Sequence, residues 1–331
     1  MSAFIKAISY YLPDQILSNE ELVREFPEWT VDKIADKVGV EKRHIALTET
    51  TSDMAVKAAE KLFIDNPEIG RDNIDFLILC TQTPDYFLPS TACIVQNRLG
   101  LHTSCGAFDF NLGCSGYEYG LAIAKGLIAG GIAKNVLLLT SEAYNKHIHQ
   151  RDKGNRTIFG DAATATLISD SGFAEIGEFT LGTDGKGAEH LIVRSGAGAH
   201  PEKFGDLHFD DNGNPISSDH LYMNGAEIFN FTIRVVPKMV RENIEANHIQ
   251  LSDIDLFVFH QANKFMLEHL RKKMKIENEK FFVNLKDVGN TVSSTIPIAL
   301  CEARKQNRLH GNVLLAGFGV GLSWGACVIK C

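Results

Sequence analysis

Three polar residues of this 331-residue chain, Cys114, His260 and Asn290, have neighbours that suit them to chemistry. Cys114 lies in Phe108-Asp109-Phe110-Asn111-Leu112-Gly113-Cys114-Ser115-Gly116-Tyr117, a single cysteine between two glycines. Phe108 and Phe110 alternate as in a strand, while Tyr119, Leu121, Ile123, Leu127 and Ile128 run on as a mostly apolar helix. The cysteine therefore stands at a strand-to-helix junction. Free N–H groups and the positive end of the helix dipole favour an anion there, so the sequence predicts a thiol pKa below the free value of about 8.5 and an available thiolate. A buried structural cysteine is the competing reading of the position.

His260, in Phe257-Val258-Phe259-His260-Gln261-Ala262-Asn263-Lys264, ends a buried strand where a helix begins, and a satisfied core histidine would look the same. Asn290, in Val288-Gly289-Asn290-Thr291, opens a helix after a turn and reads alone as an N-cap. The tail Gly317-Phe318-Gly319-Val320-Gly321-Leu322-Ser323-Trp324-Gly325 suggests a nucleotide loop, but a strand follows it and the glycine spacing fails at Leu322. His147 and His149 have a spacing that suits a metal, yet no cysteine or carboxylate cluster accompanies them, so a loop pair is expected and no metal is assigned.

The elements that must position these residues occur twice. A helix from about Ser52 to Phe63 leads to the apolar run Asn73–Cys80, and a helix from Val235 to Ala246 leads to the matching run Asp253–His260. Asn135-Val136-Leu137-Leu138-Leu139 is echoed by Asn312-Val313-Leu314-Leu315-Ala316, and each precedes a further strand, Ala163–Ile168 or Gly325–Lys330. Nearly continuous apolar runs suit strands covered on both faces, so the pattern predicts two α/β halves, each with a parallel core sheet and right-handed crossovers. A strand Phe4–Tyr11 and a helix capped by Ser18 and Glu21 precede the first repeat. The segment from about Gly172 to Asp219, rich in Gly, Asp and His, should hold the domain linker near its start and insertion loops after it. The expected domains are thus 1–171, with the nucleophile, and 172–331, with the histidine and asparagine. A pseudo-twofold between them would bring Cys114, His260 and Asn290 together beyond the carboxyl ends of the strands.

Bulk properties narrow the function. With 44% hydrophobic and 22% charged residues the chain is globular, and its net charge of −8 argues against a general nucleic-acid binder. The longest apolar candidate, Gly120 to Leu139, is broken by Lys125 and Lys134, so no membrane span is expected. Seven scattered cysteines without a C-x-x-C pair, and a start lacking a signal peptide, point to the reducing cytoplasm.

Together the motifs resemble the β-ketoacyl-acyl-carrier-protein synthase III family of the thiolase-superfamily condensing enzymes. The resemblance covers the chain in order through Glu28-Trp29, Gly39-Val40-Glu41-Lys42-Arg43-His44, Leu88-Pro89-Ser90-Thr91-Ala92-Cys93, the Cys114 stretch, Phe159-Gly160-Asp161-Ala162-Ala163, His260-Gln261-Ala262-Asn263, Gly289-Asn290-Thr291 and the Gly317 tail. It implies a thiolase fold, layered α-β-α-β-α, and an acyltransferase of fatty acid biosynthesis that joins an acyl thioester, usually acyl-CoA, to malonyl-acyl-carrier protein with loss of carbon dioxide. Cys114 would carry the acyl group, His260 and Asn290 would donate hydrogen bonds to the enolate, and backbone N–H groups of Cys114 and Val320 would hold the oxyanion. No resident cofactor is implied; CoA and carrier thioesters are substrates.

The same resemblance places Trp29 at the CoA adenine, Gly225 and Asn263 along the pantetheine tunnel, and Leu88 and Phe229 in the acyl pocket, with a homodimer whose Leu88 loop enters the partner's pocket. Lys37 and Lys153 stand where the family has adenine-clamping arginines, and offer point charges instead of a stacked guanidinium. Val320 interrupts the usual run of glycines, and the segment from Asp184 to Tyr222 looks expanded.

Periodicity alone adds a basic face after His260. Lys264, Arg271 and Lys275, with Lys272 and Lys273 beside them, would lie opposite a stripe of Leu267, Leu270 and Met274, and such a face suits an acidic carrier protein. Two alternatives stay open on sequence: an enzyme using the same triad in a specialised polyketide, pigment or signal pathway, and a non-catalytic carrier-protein-binding partner.

Overall fold

The computed structural model describes residues 2–331. The first half runs β1 (Phe4–Tyr11), α1 (Thr51–Asp65), β2 (Phe76–Cys80), α2 (Thr91–Arg98), β3 (Gly106–Phe110), α3 (Gly116–Ala129), β4 (Val136–Glu142) and β5 (Ala162–Ser169). The second repeats that order with β6 (Ala174–Thr183), α4 (Gly225–Ala246), β7 (Ile254–Phe259), α5 (Lys264–Lys273), β8 (Phe281–Phe282), α6 (Thr295–Lys305), β9 (Asn312–Gly319) and β10 (Ser323–Lys330).

Strand order is β8-β7-β9-β10-β6-β1-β5-β4-β2-β3, which reads as the same five-strand arrangement from either end. The halves meet through a short antiparallel pairing of Phe4 and Ile5 with Glu175 and Ala174. Each half is mixed where the sequence predicts a parallel core sheet. Only β3, β2 and β4, and correspondingly β8, β7 and β9, run parallel, while β5 and β10 return antiparallel beside β4 and β9. In the second half the reason is loop length: β9 and β10 are joined by Val320–Leu322 alone, too short for a crossover.

Five layers result. Helix α1 covers β1, β4 and β5 on one outside, α4 covers β6, β9 and β10 on the other, and α3 and α6 lie between the halves. The middle layer is apolar all round because it has sheet on both sides: Tyr117, Leu121, Ala124 and Ile128 of α3 and Ile296, Ala299 and Leu300 of α6 join Leu138, Val258, Val313 and Leu315 in one buried cluster. Each large side chain so buried is worth about 1.5–3 kcal/mol. Gly120 permits the close approach, since a Cβ there would lie 2.6 Å from Leu138 Cδ1.

The strand β6 is absent from the sequence reading, which has linker and loops there. It lies at the centre of the sheet order, but its residues are mostly half-buried or exposed, so no apolar run marks it. Helix α4 begins ten residues earlier than predicted, at Gly225, where the Asn224 side chain caps it by accepting from the Glu227 N–H. The Ser18 cap forms with both capping-box bonds. No helix among the described residues is long and apolar enough to cross a membrane.

Candidate active site

Cys114 follows β3, one residue before the N-cap of α3, and is 8% exposed. Its loop is pinned to the opposite hairpin: the Ser115 and Ser323 hydroxyls are 2.5 Å apart, and a Cβ on Gly319 would stand 2.8 Å from the Cys114 Sγ. The N–H groups of Val320 and of Cys114 itself hydrogen-bond the sulfur. These contacts favour thiolate, yet burial pushes the thiol up to about 12, helped by Glu142 and, more weakly, Glu118 nearby. The predicted lowering is therefore corrected: desolvation outweighs the helix N-terminus, and the resting group is a thiol.

His260 leaves β7 with its N–H donating to Ala316 O at 2.8 Å. Its ring meets the edge of Phe318 at 5.7 Å and 88°, and its Nδ1 lies 2.7 Å from Thr295 Oγ1. Burial lowers its pKa to about 3, with the Val292 carbonyl opposing weakly, so the imidazole is neutral.

Asn290 is fixed at both ends. Its N–H donates to Ile158 O at 2.9 Å and its carbonyl accepts from Gly160 N–H at 3.0 Å. The side-chain Oδ1 accepts from Val292 N–H at 2.9 Å, which leaves the amide NH2 as the free-facing donor, with only a 3.4 Å contact to Ala262 O. Val292 has φ +55, a left-handed conformation costly for a β-branched residue, and its backbone serves both side chains.

Shared neighbours thus tie the three residues into one site. Phe318 touches His260, Gly319 beside it touches Cys114, and Val292 joins His260 to Asn290. A cavity of about 910 Å³ reaches Val320, whose N–H bonds the Cys114 sulfur, and is lined also by Gln82, Asn111, Tyr144, His147 and Leu191; the three residues themselves do not line it. Two carboxyls missing from the sequence reading lie under the site. Glu142 accepts from Gln82 N–H at 3.0 Å and Ser293 Oγ at 2.8 Å, and burial raises it to about 8. Glu118, one turn into α3, is fully buried without a hydrogen-bond partner and is held well above the carboxylate range. Only the position of Glu118 at i+4 from Cys114 would have flagged it.

The remaining predicted positions separate into groups. Trp29 precedes a short helix, Val31–Val38, and the Lys37 ammonium lies 5.9 Å from its ring centroid. Lys153 pairs with Glu28 and faces a recess of about 470 Å³ that it lines with Phe26 and Arg151. Arg151 is thus a cation at that mouth that the motif reading omits. Leu88 is 82% exposed, beside the exposed Tyr86 and Phe87. Gly225 begins α4 with open space around it, and Asn263 caps α5 by accepting from Met266 N–H. Phe229 packs on Phe265 and His269 of α5 at 5.4 and 5.1 Å.

The basic face departs from helical register at one end. Helix α5 ends at Lys273, and Lys275 beyond it has φ +56, so it is not on the helix. Arg271 is tied to Glu268 and donates to Ile276 O at 3.1 Å, while Lys264 packs against Gly39. Met266 joins Leu267 and Leu270 in the buried stripe and Met274 is only half-buried. Lys264, Lys272 and Lys273 on the helix and Lys275 just past it are exposed, while Arg271 is half-buried.

Comparison with known proteins bears on this constellation directly. Residues 108–185 match the model described as 3-oxoacyl-[acyl-carrier-protein] synthase III, and residues 244–331 match that of its C-terminal part. Over 326 residues the chain is 37% identical to the beta-ketoacyl-[acyl-carrier-protein] synthase III of Clostridium perfringens, covering 97% of this chain and 96% of that protein. The Streptococcus agalactiae protein of that name is 36% identical over 332 residues, with 99% of each chain covered. A crystal structure of a 3-oxoacyl-(acyl-carrier-protein) synthase III superposes with TM-score 0.97 at 47% identity over the whole of both chains. The Burkholderia xenovorans 3-oxoacyl-(acyl-carrier protein) synthase gives 0.89 at 36%, covering 99% of this chain and 93% of that one. Matches that include the stretches holding the cysteine, histidine and asparagine, and that extend end to end, show that the chain belongs to the β-ketoacyl-acyl-carrier-protein synthase III family of thiolase-fold condensing enzymes.

Proposed function

We propose that this chain is an acyltransferase that starts fatty acid synthesis by joining an acyl thioester to malonyl-acyl-carrier protein. The Cys114 sulfur attacks the donor carbonyl, the bond to the CoA thiol breaks, and the thiol proton passes to the departing sulfur, leaving acyl-Cys114. Malonyl thioester then enters, its carboxyl carbon–carbon bond breaks to release carbon dioxide, and the enolate oxygen is held by His260 and the Asn290 amide. The carbanion attacks acyl-Cys114, the oxyanion rests on the N–H groups of Cys114 and Val320, and collapse frees the cysteine and a β-ketoacyl thioester two carbons longer.

The observation that carries this reading is the neutrality of the donors. A cationic imidazole would hold the malonyl carboxylate in place, whereas a buried neutral ring beside a carboxamide stabilises an enolate without attracting the leaving carboxylate. The two duplicated element runs support dividing the chain into 1–171 and 172–331, so that the nucleophile and the two donors come from different halves. The exposed Tyr86, Phe87 and Leu88 suit a homodimer contact, and seven free cysteines suit a reducing cytoplasm. Every step uses groups of the chain and its substrates, so no resident cofactor is invoked.

Intact mass after incubation with acyl-CoA thioesters tests the reading. An acyl adduct on wild type and Asn290→Ala, and none on Cys114→Ala, is expected; no adduct with any CoA or carrier thioester overturns it.

A further inference from the structure

The cavity that reaches Val320, whose N–H bonds the Cys114 sulfur, has polar side chains in its lining near that end. The Gln82 side chain lies against the nucleophile loop: a Cβ on Gly113 would be 2.6 Å from its Oε1 and 2.5 Å from Val320 Cγ1. Its Nε2 donates to Asn111 Oδ1 at 3.2 Å, while Oε1 is buried without a partner. Tyr144 lines the same cavity, 4% exposed, its ring held by Phe159 at 5.0 Å and by His147 at 5.9 Å. Among the described residues nothing hydrogen-bonds its hydroxyl, which has the Cys114 and Glu142 side chains as neighbours. The amide of Asn111, an exposed residue on the same lining, is a third polar group.

A saturated chain on Cys114 would cover these groups and leave them unpaired, which is costly for each. A hydroxyl satisfies them in either orientation of the Gln82 amide, because it donates and accepts at once. We propose, resting on the acyl-enzyme reading above, that the acyl group taken up by Cys114 carries a hydroxyl within a few carbons of the thioester. Its transfer balances as for any acyl donor: the new bond is Cys114 sulfur to acyl carbon, the broken bond is acyl carbon to carrier sulfur, and the thiol proton leaves with the carrier.

The test compares initial rates of Cys114 adduct formation from butyryl and 3-hydroxybutyryl thioesters at equal concentration, each on CoA and on carrier protein. Wild type should favour the hydroxyacyl donor by at least about tenfold, the discrimination expected of a site built around a substrate hydroxyl. In Gln82→Leu/Tyr144→Phe the ratio should fall to within about twofold, since both unpaired oxygens are gone. Tyr144→Phe alone removes one oxygen and should lower the ratio partway, which keeps the test open if the double variant does not fold. Butyryl transfer as fast as hydroxybutyryl transfer on wild type overturns the inference and leaves the acyl-enzyme reading standing. No adduct from either donor overturns both.

Discussion

The Thr295 hydroxyl stands 2.7 Å from Nδ1 of His260 and 3.0 Å from the Val292 carbonyl. It has one hydrogen to give. Donated to Nδ1, it places the imidazole proton on Nε2, where it can serve the enolate; donated to Val292, it forces the proton onto Nδ1 and leaves Nε2 without one. On the proposed mechanism Thr295 would act on the reaction through the histidine tautomer.

Replacing that hydroxyl should separate the two half-reactions. Thr295→Val should slow decarboxylation of malonyl-acyl-carrier protein by roughly tenfold, the worth of about one hydrogen bond, with Cys114 acylation little changed. Thr295→Ser should restore most of the rate, and imidazole nitrogen shifts in NMR should show the tautomer change in the valine variant. Equal loss of acylation and decarboxylation in both variants would assign Thr295 to packing alone.

Thiol reactivity and decarboxylation should differ in their pH dependence. With the Cys114 thiol pushed up to about 12, the thiolate fraction grows about tenfold per pH unit throughout the working range, so alkylation by iodoacetamide should rise from pH 6 to 10 without a plateau. His260, lowered to about 3, stays neutral over that span and should put no inflection near pH 6.5 into decarboxylation. An alkylation plateau by pH 8 would contradict the buried-thiol state.

Glu142 links the site to stability. Its folded pKa is raised to about 8, so the folded chain binds the proton more tightly than the unfolded one, and this contribution is complete below about 4.3 and lost as pH rises through 8. Glu142→Gln should therefore gain melting temperature relative to wild type as pH rises from 5 to 8. A constant difference across that window would show that burial does not raise this carboxyl.

How far the site was legible follows from where its signals lay. Cys114, His260 and Asn290 each sit at the end of a strongly patterned element, so order and duplication placed them side by side. Thr295, Glu118 and Gln82 carry no such pattern, because what distinguishes them is a partner or a missing partner far away in sequence. The central strand Ala174–Thr183 was invisible for a related reason: its half-exposed residues give no apolar run, and it exists through pairing with β10 and β1. The acidity of Cys114 was misread because a helix N-terminus can be seen in sequence and the burial opposing it cannot.

Carrier docking on the face of α5 is tested at Lys272 and Lys273, two of its exposed cations. Arg271→Glu would break the pair with Glu268 and the bond to the Ile276 carbonyl, so it perturbs the end of α5 as well as the charge. Lys272→Glu/Lys273→Glu changes four charge units on exposed side chains instead, and should raise KM for malonyl-acyl-carrier protein severalfold, with the effect shrinking as salt screens the encounter. Acylation from a CoA thioester needs no carrier and should keep its kcat/KM. A rise in KM that salt does not diminish, or an equal loss with the CoA donor, would show that these lysines only solvate the helix.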